Sequence, residues 1–509
     1  MPIKILFPTQ LVFIGCICLF LAGCSYTNKK PAPSAAPSPT VTASDAPQTT
    51  TPPPAPEQYD EYNVKLDVRP AERTVTGVEK IQMINTYDSD LNMVYINVPL
   101  NAFSENPAVQ PVFSELADKV YPNGVNYGYM LFNNIYVDGD PVSFSLKGTV
   151  LSISLPETLP PGESTEIKLE LSAKAPIMNN RTGADESGVW FGNFLPMMAV
   201  RDAEGWHTDP YYPAGDPFFT KTSNFYVSVT APSEYTAAGP GIPVVTDNDG
   251  TKTTDFTLKL ARDFAFALNR RYTVSSATSA SNVEISLYTF SNPAHSQDIL
   301  SLASRGLAYY SGLLGAYPYS QLVIVETKLF GKGGMAYPGV IFIDSGDVSA
   351  SGALSPITRE IGRQWFYNII GSNQIENAWM NVGLVSFVQD GFTLKGPDLD
   401  RKMSGDYDSL RNIIAQITPN TLNSGLGEFK SWSDYDNIQN VRGELMFYSL
   451  YKKIGEGAFN DFLAEYNRRY SFRIATPDGL MQTAEDISGV YLSAFFNAWI
   501  NDPELPPLT

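Results

Sequence analysis

From about residue 59 to 275 the chain alternates apolar and polar positions with a period of two, as in Tyr62-Asn63-Val64-Lys65-Leu66-Asp67-Val68 and Ser223-Asn224-Phe225-Tyr226-Val227-Ser228-Val229. Successive side chains of a strand point to opposite faces, so this pattern predicts half-buried β-strands. Turn-forming runs punctuate them, among them Asp138-Gly139-Asp140 and Asp247-Asn248-Asp249-Gly250. The second run could suggest a calcium loop, but it lacks the spaced Asp and the terminal Glu that such a loop needs, so it is read as a hairpin turn. Beyond about residue 283 the period changes. Residues 296–314 read as a helix and 321–327 as a strand, and further helices are predicted over 357–370, 384–392, 441–454, 458–470 and 490–499. The pattern predicts a multidomain α and β protein, with an all-β N-terminal domain over 59–275 followed by an α-rich α+β domain over 276–509. No internal repeat is detectable.

The first 24 residues have a different character. After Lys4 the chain is predominantly apolar and ends Leu21-Ala22-Gly23-Cys24. An apolar core with small residues before the cleavage point is a secretory signal rather than a structural helix. The following Cys24 is the expected lipidation site of a bacterial lipoprotein, and two acyl chains at about 0.8 kcal/mol per buried CH₂ suffice for stable anchoring. Residues 25–58 are rich in Thr, Pro, Ala and Ser, a composition that cannot bury a core and is expected to form an extended spacer. The expected location is the cell membrane, lipid-anchored on its extracytoplasmic face.

Composition narrows the chemistry. A net charge of -18 over 509 residues disfavours nucleic acid as a partner, because phosphate binding needs clustered Lys and Arg. All three cysteines, Cys16, Cys18 and Cys24, precede the spacer, so the folded body has neither a disulfide nor a thiolate metal site. The two histidines, His207 and His295, are far apart in sequence, and neither has a partner at ligand spacing.

The segment Thr358-Arg359-Glu360-Ile361-Gly362-Arg363-Gln364-Trp365-Phe366-Tyr367-Asn368 resembles the zinc helix of thermolysin-like aminopeptidases. In H-E-x-x-H, two imidazoles four residues apart hold zinc while the Glu polarises the metal-bound water. Further matches are Thr76-Gly77-Val78-Glu79-Lys80-Ile81, Trp206-His207-Thr208-Asp209-Pro210-Tyr211-Tyr212, Gly333-Gly334-Met335-Ala336-Tyr337-Pro338-Gly339 and Gln364-Trp365-Phe366-Tyr367-Asn368-Ile369-Ile370-Gly371. With these motifs in order, the chain resembles the membrane alanine aminopeptidase family of gluzincin metallopeptidases. That resemblance implies a β N-terminal domain, a thermolysin-like second domain and zinc-dependent peptide hydrolysis.

Carried over residue by residue, the family's machinery is altered. The two zinc-binding histidines correspond to Arg359 and Arg363, and the third ligand, a glutamate, corresponds to Val382. The glutamate that binds a peptide's amino group, in the stretch Gly333, Gly334, Met335, Ala336, corresponds to Ala336. The transition-state tyrosine corresponds to Asn440. Glu360, the general base, remains. A guanidinium has no lone pair to donate and stays protonated. It also repels a cation: two unit charges about 4 Å apart interact by roughly 4 kcal/mol at an effective dielectric near 20, and a divalent ion doubles this. No metal and no cofactor is therefore expected, and Glu360 would be a vestigial base. Glu376 and His207 are the remaining candidates to rebuild a site, but they make a poor set of ligands.

Two functional classes follow. One is a pseudopeptidase, in which the cluster of Arg359, Glu360 and Arg363 either fills the old metal position or binds a peptide or carboxylate ligand. The other is an active zinc aminopeptidase with displaced ligands. A purely structural surface protein is a third possibility. No Gly-x-Ser-x-Gly elbow and no P-loop is present. The ending after Phe495-Phe496-Asn497-Ala498-Trp499-Ile500 resembles short family members that lack a large helical cap, which would leave the cleft relatively open.

Overall fold

The computed structural model describes residues 58–508, apart from 292, 331–332, 349–353 and 418. The expected signal, Cys24 and nearly all of the expected spacer lie outside the described residues. The described residues belong to one compact unit.

The period-two segments do form strands. Asp60–Arg69 runs parallel to Ser223–Pro232 and antiparallel to Thr74–Ile84 at the centre of an eight-stranded sheet. Its alternate residues Tyr62, Val64, Leu66 and Val68 are buried, as are Phe225, Val227 and Val229 on the neighbouring strand. Two four-stranded sheets share one apolar core with the large sheet, and a two-stranded pair, Arg201–Asp202 with Gly205–Trp206, completes this β-rich half. Asp138 and Gly139 both take positive φ between two paired strands, as a tight hairpin turn requires.

A separate five-stranded sheet starts the second half. Its strands are β1 (Thr273–Thr278), β2 (Glu284–Thr289), β3 (Gln321–Thr327), β4 (Gly334–Tyr337) and β5 (Val340–Asp344), in the order β1-β2-β3-β5-β4. The expected boundary at 275/276 falls inside β1, whose pairing with β2 places the change of sheet a few residues earlier. β2 and β3 are parallel, and the crossover between them carries helix α1 (Ser296–Leu314). Every residue of β3 is buried. β4 pairs only with β5 and forms the sheet's edge.

The longer helices that follow are α2 (Leu354–Gly362), α3 (Trp379–Thr393), α4 (Pro397–Ile413), α5 (Gly443–Ile454), α6 (Glu456–Tyr470), α7 (Pro477–Ser488) and α8 (Ser493–Asn501). They enclose a second core with Trp365, Trp379 and Trp499 fully buried. α3 and α5 cross at bare backbone: a Cβ on Gly383 would lie 2.7 Å from Gly443 Cα.

One predicted helix is shorter than expected. The helix expected over 357–370 stops at Gly362. Bulky side chains disfavour a helix interior, and the run Trp365-Phe366-Tyr367 instead turns back on itself, with Tyr367 at φ 79° and the Ile370 amide donating to the Trp365 carbonyl. Arg363 nevertheless stays one turn above Arg359, because its N–H still donates to the Arg359 carbonyl at 3.0 Å.

Candidate functional site

A cleft of about 440 Å³ opens between α2, the edge strand β4, the start of α3 and a loop from the β-rich half. Arg359, Glu360, Arg363, Val382, Asn440, Gly333, Gly334 and Met335 all line it, so the structure brings most of the sequence-derived candidates to one place. Ala336 joins them through its backbone amide, which donates to the Glu360 carboxylate.

Glycine at 334 is what lets strand and helix meet here. A Cβ at that position would stand 2.7 Å from Glu360 Cγ and 3.1 Å from the Phe342 carbonyl. The Glu360 side chain thus lies against the strand, buried, with Oε2 lacking a hydrogen-bond partner. Burial pushes its pKa up, and Arg363, Arg359 and the Ala336 amide offset this only in part.

The arginines are held by different partners. Arg363 reaches Glu360 Oε2 at 3.6 Å, but its closer partner is Asp216, from the turn Pro213-Ala214-Gly215-Asp216-Pro217 in the β-rich half. Asp216 also accepts from Arg181 at 3.0 Å, so one carboxylate sits between two guanidinium groups. Arg181 is tied in turn to Tyr211 Oη at 3.0 Å and to the Gly215 carbonyl at 3.2 Å. Burial alone would raise the Asp216 pKa, yet Arg363 and Arg181 hold it well below the ordinary carboxylate range. Gly215 has φ +59° and Tyr435 packs directly on it, with the phenol oxygen 2.7 Å from where a Cβ would be.

Arg359 has no such carboxylate. Its Nη2 donates to Asn440 Oδ1 at 3.2 Å, while its Nε is buried without a partner. Asn440 also accepts from Ser386 at 2.6 Å and donates to Asp436 at 3.0 Å. It stands on a π-helical segment, Asp436–Arg442, that leads into α5. Val382, buried in the first turn of α3, presents only methyl groups to the cleft.

These residues do not fit a zinc ion. Tetrahedral zinc needs lone pairs from imidazole, carboxylate or thiolate, and Arg359, Arg363 and Val382 offer two guanidinium groups and an isopropyl group, none of which has a lone pair to give. Among the described residues no group of three His, Cys, Asp or Glu is placed to hold a metal. Glu376 and His207 do not line the cleft. Glu376 lies in a turn and senses the charges of His207, Glu204, Asp209 and Asp202. His207 bonds Asp202 at 2.6 Å and stacks edge-on against Phe219.

The sequence reading missed Asp216, Arg181, Tyr435 and Asp436. Asp216 follows closely on the matched stretch 206–212, the one signal that pointed to it.

Residues 300–499 match the Peptidase family M1 domain. The chain is similar to leukotriene A-4 hydrolase of Xenopus laevis, 22% identical over 418 residues, covering 74% of this chain and 65% of that protein. It is also similar to aminopeptidase N of Bos taurus, 21% identical over 359 residues, covering 64% of this chain and 36% of that one. In both matches it spans less than two thirds of the relative's length. Among solved structures, an M1 zinc metallopeptidase from Deinococcus radiodurans has the same fold, with a TM-score of 0.67 and 16% identity over 88% of this chain and 95% of that one. A variant of that metallopeptidase bound to a Tyr-Ser-Ala substrate aligns with a TM-score of 0.65 and 16% identity over the same shares.

Proposed function

We propose that the chain, whose residues 300–499 match the Peptidase family M1 domain, is a pseudopeptidase of that family, a protein that keeps the family's peptide cleft without its zinc chemistry. The observation that carries this reading is the pair of arginines in the cleft. Arg359 and Arg363, which by the resemblance correspond to the zinc-binding histidines, line it together with Val382, which corresponds to the third ligand, and Arg363 is paired with Asp216. A zinc ion entering this cluster would meet fixed positive charge and no lone pair. Without a metal, Glu360 has no activated water from which to take a proton, and a carboxylate alone does not generate hydroxide at neutral pH.

What remains is a binding surface. A solved relative of the same fold is described as holding a Tyr-Ser-Ala peptide, and here β4 offers the edge of a sheet beside a positively charged wall. We place this receptor outside the cytoplasmic membrane, tethered by lipid at Cys24 through the spacer. No helix among the described residues is long and apolar enough to cross a membrane.

The test is elemental analysis of protein purified without added metal, paired with aminoacyl chromogenic substrates. Zinc well below one per chain is expected, with turnover no greater than that of Glu360→Ala. One zinc per chain, together with turnover that Glu360→Ala abolishes, would overturn the proposal.

A further inference from the structure

Resting on the receptor reading above, we infer that the cleft takes the carboxyl end of a peptide, with Arg359 as the group that binds its terminal carboxylate.

The first observation is the distribution of charge. In a chain of net charge -18 the cleft collects, among the described residues, the four cations Lys119, Arg181, Arg359 and Arg363 against the three carboxylates Asp216, Glu360 and Asp436. Asp216 is used up between Arg181 and Arg363. Asp436 reaches Arg359 only through the neutral amide of Asn440. Arg359 is therefore the cleft arginine without a carboxylate of its own, and its buried Nε–H is unpartnered. A guanidinium offers parallel N–H groups that match the two oxygens of a carboxylate.

The second observation fixes the ligand as a peptide and gives its direction. The Asp344 amide donates to the Gly333 carbonyl at 3.2 Å, so in the antiparallel β4–β5 pair the alternate residues Gly334 and Ala336 turn their backbone groups outward on the edge of the sheet, where Glu360 takes the Ala336 amide and the Gly334 amide and carbonyl and the Ala336 carbonyl face the cleft side. An extended peptide can add there as a further strand. The Ala336 amide is bound to Glu360, the residue next to Arg359, so strand edge and guanidinium belong to one continuous surface. Position 336 carries a methyl group and offers no charge to an ammonium group. Asp216 and Glu360 already face arginines, so of the two peptide ends it is the carboxylate that meets the excess charge.

The experiment is calorimetric titration of the purified protein with three probes: N-acetyl-trialanine as the free acid, its C-terminal amide, and trialanine amide with a free amino end. The free acid is expected to bind about tenfold or more tightly than its amide. Arg359→Gln should bring acid and amide to the same affinity without changing that of the amide, and Arg359→Lys should restore part of the difference. Loss of packing alone would weaken both probes together, and circular dichroism checks that the variants are folded. Equal affinity for acid and amide, absence of binding, or displacement of the acid by inorganic phosphate at matched concentration would overturn the inference. Tighter binding of trialanine amide would overturn it while leaving the receptor reading intact. Release of alanine that Glu360→Ala abolishes would instead sink the receptor reading.

Discussion

Asp216 is the residue on which the electrostatics of the cleft turn. It is buried between Arg181 and Arg363, and removing its charge would leave two guanidinium groups facing each other away from water. Breaking a buried ion pair from one side is far more harmful than never having had it, because the remaining charge keeps its desolvation penalty. Asp216→Asn is expected to lower stability by about 3–5 kcal/mol in urea unfolding. The sign with pH follows from its depressed pKa: the contribution is fully present above the unfolded carboxyl value and fades as pH falls toward the folded one. The gap between wild type and variant should therefore narrow in acid; a gap independent of pH would argue against the ion-pair account. Asp216 also shows why the site was only partly legible in the sequence. Arg359, Glu360 and Arg363 fall within one helical turn, and Val382 follows by family spacing, so a linear reading finds them. Asp216 is 147 positions from Arg363 and comes from the other half of the fold, and no periodicity links the two.

At the scale of elements, legibility followed the strength of the apolar stripe. The strands around Tyr62 and Phe225 and the helix α1 were evident, because each buries one regular face. α4 was not, because among its 17 residues only Leu399, Met403 and Leu410 are buried. Its docking depends instead on a polar cluster. Lys402 of α4 contacts Asp390 of α3 at 2.6 Å, Asp406 at 2.6 Å and Glu444 of α5 at 3.1 Å. One cation thus serves three carboxylates, and burial together with the nearby Asp390 pushes the Glu444 pKa from 4.5 to about 8. A folded pKa above the unfolded one means that the native state binds the extra proton, so stability falls as pH rises from about 4.5 toward 8. Glu444→Gln keeps the shape and removes the titration. It should be nearly neutral for stability near about pH 4, where the carboxyl is protonated in both states, and stabilise by about 1 kcal/mol or more near pH 9. Thermal melts at the two pH values check this, and an equal effect at both would contradict it.

At the scale of the whole molecule, the cleft exists only because the β-rich half delivers Arg181 and Asp216 to a helix of the other half. The seam between the halves therefore bears on function as well as stability. Its centre is Arg262, fully buried, which donates to the carbonyls of Thr220 at 2.9 Å and Arg473 at 2.6 Å, with Gly371 packed against its guanidinium. Thr222 Oγ1 to the Phe472 carbonyl at 2.9 Å and Tyr319 Oη to the Leu260 carbonyl at 2.8 Å extend the same seam. These bonds all end on backbone carbonyls, so they hold the two chain segments in register rather than merely in contact. Arg262→Met removes the donors and leaves the carbonyls buried, at a cost of about 3 kcal/mol for hydrogen bonds from a charged group. Hydrogen exchange followed by mass spectrometry should show protection lost first around 220–222, 369–371 and 472–475. The central strand Asp60–Arg69 and α1 should stay protected, since the hydrogen bonds of Arg262 go to Thr220, Ile369 and Arg473 instead. Uniform loss across both halves would mean that the seam has no stability separate from the cores it joins.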